Sequence, residues 1–69
     1  MGASIIEIIR TSPKALTVPE LANMLSLGRR TLYDHIADGR LAAYTIGTSV
    51  RLDPKATADW LEERWSKAA

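Results

Sequence analysis

With 69 residues and no cysteine, the chain has room for one small core and has neither disulfides nor thiolate metal sites to supplement it. Its formal net charge of +1 is not that of a protein that grips polyanions by bulk electrostatics. No run approaches the roughly 20 apolar residues that span a bilayer, so a soluble, cytoplasmic domain with no membrane partner is expected.

Ile5, Ile8 and Ile9 stand at i, i+3 and i+4 with Ile6 on the shoulder, which predicts a short amphipathic helix over 4–10. Thr11-Ser12-Pro13-Lys14 breaks it, because proline lacks an amide donor and disfavours helical geometry at the residue before it. Residues 1–14 therefore read as an N-terminal helix and connector, and 15–67 as the domain. Ala15-Leu16-Thr17 suits a short strand. Thr17-Val18-Pro19-Glu20 is a capping box with proline in the first turn, opening a helix that turns Leu21, Met24 and Leu25 inward and stops near Ser26-Leu27-Gly28.

Only a few residues later, Arg29 to Asp38 resumes helical periodicity with Leu32 and Ile36 one turn apart, and Asp38-Gly39 ends it. Two β-prone runs, Ala43-Tyr44-Thr45-Ile46 and Val50-Arg51-Leu52, are joined by Gly47-Thr48-Ser49 as a hairpin. Asp53 followed by Pro54 is an N-cap with proline at the first helical position, opening a last helix through about Ser66. The expected fold is mainly α with a small β-hairpin. It is a winged helix-turn-helix with three core helices, a two-stranded wing and a short extra N-terminal helix.

In such a unit the second helix is sized for the DNA major groove, which admits one α-helix and shows a distinct donor and acceptor pattern for each base pair. The charge is placed accordingly. Four arginines stand against two aspartates between Gly28 and Arg51, a net +2, whereas Asp53 to Ala69 carries a net −1. On a helical wheel with Leu32 and Ile36 inward, Arg30 and Asp34 point outward, Thr31 and Tyr33 lie on the borders, and Arg29 is nearer the buried side. Arg30 is the candidate for a bidentate guanine contact, against a solvated arginine in a first helical turn. Arg29 clamps a phosphate or packs its stem on the core. Tyr33 offers its phenol to a phosphate or covers the core edge, and Thr31 bonds a phosphate or its own helix. Arg40 touches phosphate or solvent. Thr48, Ser49 and Arg51 reach an adjacent groove or backbone, or form an ordinary hairpin tip. His35, the only histidine, is expected to be partly buried structure, and Trp60 and Leu61 to be core.

Laid out in this order, the chain resembles the excisionase family of DNA-binding domains, a small winged-helix group related to the domain of MerR-type regulators. The resemblance covers about Leu16 to Glu63. It rests on Leu16-Thr17-Val18-Pro19-Glu20-Leu21-Ala22, Leu25, Leu27, Arg29, Thr31-Leu32-Tyr33, Ile36, Gly39-Arg40-Leu41, Ile46-Gly47, Arg51-Leu52 and Trp60-Leu61. It implies binding of double-stranded DNA as an excision or directionality factor for a mobile element, as a small transcription regulator, or as a module of a larger phage protein.

Three positions depart from that pattern. Gly28 stands where a serine often caps the second helix, Asp34 where a basic residue is common, and Thr48-Ser49-Val50 where arginines and an aromatic are usual. Each lowers DNA affinity. Asp34 accepts from a cytosine amino group or orients a neighbouring arginine; orientation is the expectation.

Trp65 and the Ile5 to Ile9 segment are more apolar than a minimal winged helix requires. Either the N-terminal helix folds back on the last helix and shields Trp65, or Ile5, Ile8, Ile9 and Trp65 form a homodimer or cooperative multimer surface. The expectation is a nucleoid-associated, sequence-specific DNA-binding module that recruits or excludes an integrase or polymerase. Its rivals are a protein-interaction module on the same fold and the DNA-recognition domain of a packaging or replication protein. With no nucleophile and base pair, no phosphate-binding glycine loop and no metal-ligand cluster in the sequence, neither an enzyme nor a cofactor or metal site is expected.

Overall fold

The capping chemistry sets where the helices start. In a computed structural model, which describes residues 4–68 and the side chains of 4–64, α1 (Ile5–Arg10) begins at Ser4, whose hydroxyl accepts from the Glu7 amide at 3.3 Å. The capping box of α2 (Val18–Leu25) closes in both directions. The Glu20 amide donates to the Thr17 hydroxyl at 3.1 Å, and the Thr17 amide donates to the Glu20 carboxylate at 2.9 Å. Hydrogen bonding of the carboxylate by Thr17, from its backbone amide first and then from its side chain, holds the Glu20 carboxyl below its ordinary range. At the start of α4 (Pro54–Ala68) the Asp53 carboxylate accepts from the Ala56 amide at 2.9 Å.

Between α2 and α3 (Arg29–Ala37), the break is made by Ser26 and not by the glycine. Ser26 is left-handed at φ 55°, ψ 41°, and the Leu27 amide reaches back to the Ala22 carbonyl at 2.9 Å. Gly28 is extended at φ −74°, ψ 147°. A serine in the left-handed region costs about 1 kcal/mol. The backbone bond that closes the turn offsets that cost.

Gly39 ends α3 in the left-handed region at φ +75°, and the chain enters the hairpin of β1 (Ala43–Ile46) and β2 (Ser49–Leu52). Gly47, at φ +63°, takes the first central position of a two-residue turn with Thr48. Ser49, expected in the connection, is therefore the first residue of β2 and lies opposite Ile46. Leu16 adds an antiparallel bridge to Leu52, with amide-to-carbonyl distances of 3.0 and 2.8 Å, so the hairpin is tied to the segment that enters α2.

The core gathers Ile9 from α1, Val18, Leu21 and Ala22 from α2, Leu32 from α3, Leu52 from β2, Ala58 and Trp60 from α4, and Leu16 and Leu41 from the connecting segments, with Ala43 of β1 half-buried against it. The N-terminal helix does fold back on the last one, and Arg10 fastens it by donating to Asp59 at 2.7 Å and Glu62 at 3.1 Å. One sequence expectation is corrected here. Ile9 is 0% exposed and belongs to the interior, so it is no part of an association surface. The i+4 spacing from Ile5 points it at α4, and of the segment's isoleucines only Ile8 is exposed. The side chain of Trp65 lies outside the described residues.

Candidate nucleic-acid interface

α3 is anchored by Leu32, fully buried, and by half-buried Ile36. Because these fix its rotation, Arg29, Arg30, Thr31, Tyr33 and Asp34 all stand exposed on what remains. Arg29 was expected nearer the buried side and is corrected to the exposed face. A helical side chain leans over the turn N-terminal to its own Cα, and at the first residue of α3 no such turn exists to hold it.

Among the described residues neither Arg29 nor Arg30 makes an ion pair or a hydrogen bond through its guanidinium. The orienting bond expected from Asp34 is also absent among them. Arg30 and Asp34 are four residues apart, but with the cation N-terminal to the anion, which is the weaker arrangement of an i, i+4 pair. Gly28 provides no side-chain cap, and a Cβ placed there would meet nothing within 4 Å. The first amides of α3 are left open, the arrangement in which a helix end accepts an anion.

The far end of α3 is held from behind. The His35 carbonyl accepts from the Arg40 amide at 3.0 Å and the Leu41 amide at 3.3 Å, and the imidazole meets Trp60 edge-on with centroids 5.3 Å apart. The Arg64 guanidinium lies over the Trp60 ring at 4.6 Å. His35 is thus a packing residue joining α3 to α4, as expected from its isolation in the sequence. Arg40 sits just past the glycine stop and is loosely paired with Asp38 at 3.6 Å, both well exposed.

Cross-strand pairing places Tyr44, Ile46, Ser49 and Arg51 on one face of the hairpin and Ala43, Thr45, Val50 and Leu52 on the other. The second face turns to the core through Leu52. Thr48 is exposed at the tip, but Arg51 is half-buried and donates to the Val50 carbonyl at 2.9 Å, which draws it along the hairpin. Sequence reasoning missed the outer face itself. Tyr44 is 44% and Ile46 67% exposed. Strand alternation counted back from buried Leu52 through the pairing Ala43 to Leu52 carries the signal.

A family model described as "Helix-turn-helix domain" matches residues 15–64. The chain belongs to the helix-turn-helix domain family. The match takes in α2, α3, the hairpin and most of α4, and leaves α1 outside. The chain is similar to a protein named "Excisionase" from Streptomyces ambofaciens, 35% identical over 57 residues that cover 83% of this chain and 92% of that protein. It is also similar to two Mycobacterium tuberculosis proteins, from strains CDC 1551 and H37Rv, each named "Putative DNA-binding protein". Both are 32% identical over 63 residues, covering 91% of this chain and 81% of theirs. No solved structure matches significantly. In this helix-turn-helix, α2 and α3 are the paired helices and β1–β2 is the wing. No helix among the described residues is long and apolar enough to cross a membrane.

Proposed function

We propose that this helix-turn-helix domain is a small sequence-specific DNA-binding regulator of the excisionase type. It places α3 in the major groove of double-stranded DNA and the 47–51 wing along the backbone or in the neighbouring minor groove. The observation that carries the reading is the pair Arg29 and Arg30, exposed and without protein partners among the described residues at the uncapped start of a helix whose other side is locked into the core. Arg30 reads a guanine edge, and Arg29, Thr31, Tyr33 and the amides after Gly28 hold phosphates. Asp34 accepts from a cytosine amino group, since no arginine occupies it. Arg40, Thr48, Ser49 and Arg51 supply the outlying backbone contacts. The names of the relatives support the same reading.

Few cations mean a shallow salt dependence and weak binding by one copy. The domain therefore works beside a partner on the DNA, an integrase or polymerase that it recruits or excludes, or as more than one copy.

A backbone-amide NMR titration with a mixed-sequence duplex at low and then higher salt tests the reading. Salt-sensitive shifts confined to Gly28–Asp34 and Gly47–Arg51 are expected. Shifts confined to Ile5–Ile8 and the adjacent face of α4 would overturn it in favour of a protein-interaction module.

A further inference from the structure

We propose that Ile46, at the tip of the wing, is an apolar wedge that enters the minor groove and kinks the DNA there. The inference deepens the DNA-binding reading above and rests on it. Ile46 is the most exposed large hydrophobic side chain among the described residues, at 67%. It closes a two-residue turn opposite Ser49, a small residue, so nothing broad stands beside it at the tip. The minor groove is about 6 Å wide, so the Ile46 side chain enters it and the two-stranded ribbon stays outside.

The surroundings favour a polyanion over a protein as the occupant. From Gly39 to Leu52 the chain carries Arg40 and Arg51 and no carboxylate. On the face that Ile46 shares, the polar neighbours are the Tyr44 phenol, the Ser49 hydroxyl and Arg51, all of which can donate to phosphate. Proteins that insert Ile, Leu, Met or Phe between base steps unstack them and bend the duplex toward the major groove. Flexible pyrimidine–purine steps yield most easily, so the wedge also makes the site prefer a TA or CA step that no side chain reads by hydrogen bonding. A bend in that direction wraps the duplex around the domain and adds contact that its modest charge does not supply.

The test uses the full chain and a duplex of about 24 base pairs recovered by selection from a randomised pool. It is labelled at its ends for energy transfer and carries 2-aminopurine at successive steps beside the α3 site. The wild type is expected to shorten the end-to-end distance and raise 2-aminopurine emission at one step. Ile46→Thr keeps the β-branched strand residue and removes the apolar reach. It should bind about tenfold more weakly, lose both signals and leave the α3 amide shifts in place, while Ile46→Leu restores bend and emission.

A wild type that binds without bending, or a bend that survives Ile46→Thr, overturns the wedge and leaves the DNA reading standing. If Ile46→Thr preserves the bend and abolishes cooperative loading, the tip contacts protein and the wedge is wrong. Failure of the wild type to bind any selected duplex overturns both readings.

Discussion

The α1–α4 seam and the outer face of α3 both carry arginine on a helix, and they use it oppositely. In the seam, Arg10 is held between Asp59 and Glu62, and the Asp59 bond first of all raises its pKa above the ordinary value. On α3, Arg29 and Arg30 have no such partner among the described residues. The same side chain is a fastener where carboxylates converge on it and an open guanidinium where none does. Charge count alone does not distinguish the two. The environment of each guanidinium does.

Ile9→Ala should have the largest effect on this contrast. It empties a fully buried site in the seam at a cost of about 2–5 kcal/mol, a large fraction of what a 69-residue domain has. Urea unfolding should show the loss, and DNA affinity measured where the variant is still folded should be unchanged. A lowered affinity under those conditions would mean that the seam reaches the recognition face.

Arg29→Ala combined with Arg30→Ala should do the reverse. Loss of one bidentate base contact is worth about 1–3 kcal/mol of binding, roughly a five- to 150-fold weaker complex with a shallower salt slope. Stability should stay within about 0.5 kcal/mol, since both side chains are exposed. Unchanged binding in fluorescence anisotropy would remove the ground for the DNA reading.

Arg10→Ala should lower the melting temperature by less than Ile9→Ala does, because the pair is partly solvated. The difference from wild type should shrink in high salt. A difference that persists at high salt would show that the arginine stem, rather than its charge, holds α1.

Glu20→Gln is the smallest of the four, and its signature is pH. The Glu20 carboxyl is depressed in the folded state, so its stabilisation is fully present above the unfolded carboxylate pKa and is lost as pH falls through the folded value. Glutamine keeps an acceptor for the Thr17 amide but carries no charge. The variant should therefore melt slightly lower at pH 7 and converge on wild type as the solution is acidified through the carboxylate range, as thermal scans across pH would record.

Much of the site was legible before the fold was known. The capping box at Thr17, the Asp53-Pro54 start and the Gly39 stop depend on contacts within one turn, and each appears where the sequence puts it. The inward phase of α3 was legible too, because Leu32 and Ile36 are spaced one turn apart. Arg29 was misplaced because an ideal wheel ignores that a helix has a first turn. Ser49 was misplaced because composition does not say whether a glycine closes a two-residue or a three-residue connection.

Ile9 shows the limit most clearly. Sequence periodicity establishes that Ile5, Ile8 and Ile9 share a stripe, periodicity with turn and capping residues establishes the helix-turn-helix order, and a count of charges establishes the positive bias of 28–51. It does not say whether the stripe meets another molecule or α4 of the same chain. That depends on residues about fifty positions apart, Arg10 with Asp59 and Glu62, coming within bonding distance. The same holds for the wing. Its strands follow from local propensity, but the face that is buried was decided by the packing of Leu52 into a core assembled from distant elements, and with it the exposure of Tyr44 and Ile46.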